Sequence, residues 1–274
     1  MKYHFKQVDV FTDKACLGNP VAVFLESDGL STNDMQRIAG WTNLSETTFV
    51  SKSNIADYKV RIFTPLEELP FAGHPTLGTA WALREAGMLP KDKIVQECAF
   101  GLVNIEFKDN KVFFELPKYD VEPLEHEEIL SPATGINLKE GKLITTGPRW
   151  VIARLENASD LRKIHLDNAR FEELLQANKS TGATVYALRE KGGVDVRTFF
   201  KSFDGFVEDP VCGSGNAAVA AHIMTTGLVA HVGNSYEAFQ GEALNRDGRI
   251  AVTLGDKIKI GGACVSVISG AAEL

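Results

Sequence analysis

The sequence predicts an α+β chain made of two copies of one domain, each a mostly antiparallel sheet packed around a buried central helix. Three observations lead there: short apolar runs of period two, an internal echo, and two helical segments too apolar to face water. Alternation is clearest at Tyr58, Val60 and Ile62, and at Val103, Ile105 and Phe107 followed by Val112, Phe114 and Leu116, the pattern of half-buried strands. Asp109-Asn110 separates the last two runs, and residues that tolerate positive φ close a two-residue hairpin there. Helical spacing occurs from Ser31 to Gly40, where Ser31 and Asp34 form a capping box and Met35, Ile38 and Ala39 share one side. It occurs again at Phe171, Leu174 and Leu175. Both helices are expected at the periphery.

The echo sets the domain count. Val60-Arg61-Ile62-Phe63 recurs 136 residues later as Val196-Arg197-Thr198-Phe199, and Pro70-Phe71-Ala72-Gly73-His74 recurs 140 residues later as Pro210-Val211-Cys212-Gly213-Ser214. The second offset persists from Gly87-Met88-Leu89 to Gly227-Leu228-Val229. A strand, a loop, a helix and its terminating glycine are thus written twice. Between Pro117 and Pro132, PKYDVEPLEHEEILSP carries three prolines and five acids, a composition that resists helix and central strand and reads as the connection between domains. His126 in that stretch reads as part of a solvated acidic segment rather than a metal ligand.

Composition narrows the function. The 274 residues hold 29 Lys+Arg against 36 Asp+Glu, a net charge of -7, with no dense basic stripe, so nucleic acid is not an expected partner. Cys16, Cys98, Cys212 and Cys264 are scattered without C-x-x-C spacing, which suits reduced thiols and no structural metal. No apolar stretch approaches the ~20 residues of a membrane span, and Met1 to Gln7 lack a signal-peptide core, so a cytoplasmic protein is expected.

In the first copy Pro75 suits the first helical position, which makes His74 the expected N-cap of an apolar helix through Leu77, Ala80, Trp81, Ala82 and Leu83. In the second copy Ser214 is the expected N-cap before Ala217-Ala218-Val219-Ala220-Ala221. If the two domains face each other, two helix N-termini converge on one cleft, and their N–H groups and partial positive charge suit a carboxylate. Gly73, Gly213 and Gly215 let backbone approach that ligand closely. Either turn alone is an ordinary tight connection, and it is the pairing that points to a small acidic substrate. Gly213-Ser214-Gly215-Asn216-Ala217-Ala218 also fits G-x-G-x-x-A, but it follows the acidic turn Glu208-Asp209-Pro210 outside any βαβ unit, so no dinucleotide cofactor is expected. Glu46, in the β-rich stretch Leu44 to Val50, is either a solvent-facing strand residue or a carboxylate that needs a partner or ligand. Asp209 has three open roles: cap, ligand for a substrate amine, or polariser of His74.

Gly18-Asn19-Pro20-Val21-Ala22-Val23-Phe24, Ser45-Glu46-Thr47, Arg61-Ile62-Phe63-Thr64-Pro65, Glu68-Leu69-Pro70-Phe71-Ala72-Gly73-His74-Pro75-Thr76, Gly147-Pro148-Arg149-Trp150, Glu208-Asp209-Pro210-Val211-Cys212-Gly213-Ser214-Gly215 and Gln240-Gly241 resemble, in this order, the phenazine-biosynthesis PhzF-like family. The resemblance implies the diaminopimelate-epimerase-like fold: two pseudo-symmetric α+β domains, 1–117 joined by the C-terminal strand 263–274, and 118–262, with the active site in the interdomain cleft. It implies a cofactor-independent isomerase that moves a proton at carbon of a small carboxylic acid, and a homodimer. Glu46 is then the proton-moving group, His74, Asp209 and Ser214 complete the catalytic set, and Asn19, Ser45, Gly73, Gly213 and Gly215 bind substrate. For efficient exchange the cleft is expected to raise the Glu46 pKa from about 4.3 toward neutrality. Epimerase relatives carry a thiol at each central helix; here those places hold Ala72 and Cys212. An amino- or imino-acid epimerase using Cys212, and a non-catalytic binder of a small acid, stand as the alternatives. Gly215-Asn216 departs from the alanine expected after the serine in phenazine-pathway members, which leaves the substrate open.

Overall fold

The computed structural model describes residues 1–116, 118–202 and 205–274 and divides into two compact units, Met1–Glu115 with Gly261–Leu274, and Leu116–Ile260. Pro117, where the sequence places the start of the connection, lies outside the described residues.

In the first unit, strand β1 (Lys2–Val10) pairs antiparallel with both β2 (Asn19–Phe24) and the C-terminal strand Cys264–Glu273. Helix α1 (Thr32–Thr42) follows, then β3 (Glu46–Ser51), parallel to β2 and antiparallel to β4 (Tyr58–Phe63). A two-residue strand β5 (Glu68–Leu69) leads into α2 (Gly73–Glu85), and β6 (Lys93–Cys98), β7 (Gly101–Lys108) and β8 (Lys111–Glu115) close the unit as a meander. The capping box on α1 forms as read: the Ser31 hydroxyl accepts from the Asp34 N–H, and the Asp34 carboxylate accepts from Ser31 N–H. Met35, Ile38 and Ala39 pack on Tyr3, Phe24, Phe49 and Phe63. The hairpin turn at Asp109-Asn110 has both residues left-handed, φ +51° and +58°, which matches the right-handed twist of the strands.

The second unit repeats the plan. It contains β9 (Asp120–Pro123), α3 (Glu127–Thr134), β10 (Lys139–Thr145), β11 (Arg149–Leu155), α4 (Asn168–Asn178), β12 (Gly182–Leu188), β13 (Val194–Ser202), β14 (Gly205–Asp209), α5 (Gly213–Thr225), α6 (Val229–Val232), β15 (Ser235–Gln240) and β16 (Gly248–Thr253). The register repeats too: β11 runs parallel to β12 with Trp150 opposite Gly182, as β2 runs parallel to β3 with Val21 opposite Glu46. Both central helices are buried, α2 through Leu77, Ala80, Ala82 and Leu83, α5 from Asn216 to Ile223. α4 buries Phe171, Leu174 and Leu175 as expected.

Two expectations are corrected here. The Pro-rich acidic stretch is not structureless: β9 pairs with β10, and α3 tolerates Pro132 because Leu130, Ala133 and Thr134 are buried on the second unit's core. Burial of one apolar face outweighs the single hydrogen bond that proline removes. The acidic turn expected at Glu208-Asp209 is the end of β14, whose Glu208 faces Arg197 rather than water. Among the described residues no helix is long and apolar enough to cross a membrane.

Candidate active site

The helix starts differ from the reading, in the same way twice. α2 begins at Gly73 with Ala72 as N-cap, and α5 begins at Gly213 with Cys212 as N-cap, so His74 and Ser214 both occupy the second helical position rather than the cap. Proline is tolerated anywhere in a first turn whose N–H groups have no intrahelical partner, so Pro75 does not fix the start. In the second copy a thiol replaces the expected hydroxyl as cap: Cys212 Sγ accepts from the Gly215 N–H at 3.3 Å.

The first unit gathers Asn19, Ser45, Glu46, Gly73 and His74. The parallel pairing of Val21 with Glu46 places the start of β2 beside the start of β3, and α2 brings His74 over both. The His74 ring donates to the Pro20 carbonyl, and its Nε2 faces Glu46 Oε2 at 3.3 Å. Nε2 has no hydrogen-bond partner in the neutral tautomer, so the donor to Pro20 is Nδ1–H. The side chains are 6% and 15% exposed, and burial pushes His74 down to about 3 against the opposing pull of the Pro20 carbonyl. The imidazole is therefore neutral, with its Nε2 turned toward the Glu46 carboxyl. Glu46 is thus partnered rather than solvent-facing, and the carboxyl group beside His74 is its own.

The second unit gathers Asp209, Cys212, Gly213, Ser214 and Gly215 at the head of α5. The half-buried Asp209 carboxyl accepts from the Val211 N–H at 2.9 Å and is pushed up to about 6, chiefly by desolvation and further by the charge of Glu208, against the Val211 and Cys212 contacts. Burial and the neighbouring Asp209 push the Cys212 thiol well up, so it is a protonated thiol at neutral pH. The Ser214 carbonyl accepts from Thr146 Oγ1 at 3.1 Å.

Sequence reasoning missed what holds this turn. Gln240 Oε1 accepts from the Cys212 N–H at 3.1 Å and from Asn216 Nδ2 at 2.8 Å, while Gln240 Nε2 donates to the Asp209 carbonyl at 3.0 Å. Asn216 Nδ2 also donates to the Cys212 carbonyl. Two buried amides thus knit Asp209, Cys212 and the first turn of α5 into one unit, and the departure at Asn216 acquires a structural role. The contact spans 24 residues, beyond any local pattern.

The repeat also explains why one copy alone carries a carboxyl at this place. The 136-residue offset takes Glu46 to Gly182, where an added Cβ would stand 2.8 Å from Trp150 Cζ3 and 3.0 Å from Phe200 Cα. The second copy has no space for any side chain there. This signal was present in the sequence, because the same offset relates the flanking strands.

A further expected outcome concerns pH. A folded-state pKa near 6 against an unfolded value of about 3.9 means that Asp209 favours the folded state below pH 4 and that this contribution is lost as pH rises through 6. Asp209→Asn removes the loss. Urea unfolding at pH 4.5 and 7.5 should show the variant gaining on wild type by on the order of 1 kcal/mol at the higher pH, the partly exposed edge being screened by water. Parallel pH profiles would contradict the assigned burial.

A profile of the family described as phenazine biosynthesis-like protein matches residues 8–270. The chain is 38% identical to antisense-enhancing sequence 1 of Schizosaccharomyces pombe, over 98% of each chain, and 34% identical to the trans-2,3-dihydro-3-hydroxyanthranilate isomerase of Pseudomonas aeruginosa, over 90% of this chain and 89% of that one. The crystal structure of a PhzF-family phenazine biosynthesis protein from Bacillus anthracis matches with a TM-score of 0.87 at 26% identity, over the whole of both chains. The α+β architecture is the diaminopimelate-epimerase-like one that the family resemblance implies. The match runs through both units, so the chain as a whole belongs to the phenazine biosynthesis-like, or PhzF, family.

Proposed function

We propose that this chain is a cofactor-independent isomerase that moves a proton at carbon of a small carboxylic acid, with Glu46 as the group that takes and returns the proton. The observation that carries the reading is the buried Glu46 carboxyl set 3.3 Å from Nε2 of the neutral His74. A carboxyl group held there supplies both halves of proton exchange: the carboxylate takes a proton from one carbon, and the carboxyl so formed returns one to another, with His74 holding its position. Asp209, Ser214 and the N–H groups at the heads of α2 and α5 bind and orient the acid, assisted by Asn19, Ser45, Gly73, Gly213 and Gly215. The P. aeruginosa relative's name supports an isomerase of a cyclic hydroxy-amino acid, and it makes trans-2,3-dihydro-3-hydroxyanthranilate the first compound to try. The assembly that goes with this reading is a homodimer.

The test is a D₂O incubation, without added cofactor, of that compound and a panel of other unsaturated carboxylic acids, followed by proton NMR. Deuterium should enter at carbon in at least one of them at a rate proportional to enzyme. Binding of an acid with no exchange and no turnover would reduce the protein to a binder and overturn the reading.

A further inference from the structure

The two copies differ in how a buried glutamine meets the central helix. In the first, Gln96 on β6 accepts from the Tyr58 hydroxyl at 2.9 Å and donates to Thr76 Oγ1 at 3.0 Å, tying the strand to the first turn of α2. The 140 offset takes Thr76 to Asn216, and there too a glutamine meets the helix, Asn216 Nδ2 donating to Gln240 Oε1 at 2.8 Å. The two glutamines are nevertheless not equivalent. Tyr58 pairs with Gln96 as its repeat Val194 pairs with Ala238, so the register puts Cys98 where the second copy has Gln240.

That step of two residues changes what the amide reaches. Gln240 spans the turn that leads into α5: its Nε2 donates to the Asp209 carbonyl and its Oε1 accepts from the Cys212 N–H. One side chain, itself 4% exposed, thereby fixes both ends of Asp209-Pro210-Val211-Cys212. Inside the turn the Asp209 carboxyl accepts from the Val211 N–H, so holding the main chain also sets where the carboxyl points. The first copy builds the corresponding turn, Leu69-Pro70-Phe71-Ala72, into a helix of the same 13 residues with Cys98 in that place, its Sγ turned to the Gly101 carbonyl at 3.5 Å. The fold therefore does not need the clamp. Clamp and turn carboxyl occur in the same copy, for Leu69 stands where Asp209 does.

We propose that Gln240 is a positioning residue that aims the Asp209 carboxyl, and through it the substrate, at the head of α5. The role rests on the function proposed above, in which Asp209 orients the acid while Glu46 moves the proton. An amide suits it, because one planar group offers both the donor and the acceptor that the turn requires and brings no charge to compete with Asp209. A misplacement of about 1 Å in such a group costs on the order of 10²-fold in rate.

Three variants of the full chain test it. Gln240→Met keeps the side chain's length without its hydrogen bonds, and Gln240→Cys installs what the first copy carries, so a folded variant is at hand even if the thioether packs badly. Gln96→Met is the control, stripping an equally buried amide from the first turn of α2 without touching Asp209. In a carbon-13 NMR titration of the aspartate carboxyls, with Asp209→Asn identifying the signal, Asp209 should move from about 6 toward about 5 in both Gln240 variants, because a freed carboxyl gains water. Gln96→Met should leave it in place. With the acid that exchanges in D₂O, KM should rise about tenfold in the Gln240 variants while kcat changes less, and neither should move in Gln96→Met. An unchanged Asp209 titration overturns the proposal whether or not any acid turns over. Equal loss of kcat/KM in the Gln96 and Gln240 variants overturns it too, since the amide then serves only the fold. Absence of exchange in the wild type overturns the proposed reaction instead, and the titration still decides the role of Gln240.

Discussion

Glu46→Gln lowers turnover by about 10²–10⁴-fold, the contribution of one positioned acid–base group, while folding and substrate affinity stay near wild type. The amide has the carboxyl's shape, so the buried volume beside His74 is unchanged, and its NH₂ is able to donate to the Nε2 lone pair. What is lost is the group that takes and returns the proton. The effect should therefore fall on kcat, with KM little moved, and exchange of carbon-bound hydrogen with D₂O should fall in parallel. Cys212→Ser serves as the comparison. Its thiol caps α5 and stays protonated, so the serine variant, which keeps a capping oxygen, should retain most activity. Full activity in Glu46→Gln would remove Glu46 from the chemistry, and loss confined to Cys212→Ser would move the protein to the epimerase reading, with the thiol as one of its acid–base groups.

How much of this was legible in the sequence depends on distance along the chain. The capping box at Ser31 and Asp34 and the turn at Asp109-Asn110 are decided within four residues, and both formed as read. The two-copy plan was legible because the echo repeats a whole strand–loop–helix unit. The helix starts were misplaced by two positions, since the rules for proline and serine at a cap compete with what the next residues do. Cys212 won that contest through its own contact with the Gly215 N–H, and Ala72 had no competitor capable of a better cap. Glu46 with His74 and Gln240 with Asn216 are 28 and 24 residues apart and meet only through the sheet register, which no local pattern encodes. The helical character of Glu127–Thr134 was hidden by Pro132, whose cost is local while the burial that offsets it is tertiary.

The repeat holds one more pair of equivalents, and they should differ sharply in energetic weight. Arg61 forks onto Glu68 with bonds of 2.7 and 2.6 Å, and Arg197 forks onto Glu208 with bonds of 3.0 and 2.6 Å; the arginines are related by the 136 offset and the glutamates by the 140. Each guanidinium also lies about 5 Å from the phenylalanine two residues on, Phe63 or Phe199. Each staple ties a strand to the segment that leads into a central helix, and Glu208 immediately precedes Asp209. The first pair is open, 28% and 33% exposed, whereas the second is 15% and 8% exposed. Solvent screens the first, so Arg61→Met should cost no more than about 1 kcal/mol. Arg197→Met leaves a nearly buried carboxylate without its partner and should cost about 3–4 kcal/mol, a fall in melting temperature on the order of 10 °C. Adding Glu208→Leu to Arg197→Met should recover most of that loss, because the penalty lies in the abandoned charge rather than in the missing attraction. Thermal and urea unfolding of these variants decide the matter. Equal losses at the two arginines would mean that burial does not set the strength of these staples, and no recovery in the double variant would mean that the Arg197 side chain acts through its packing and its 2.8 Å bond to the Leu161 carbonyl instead.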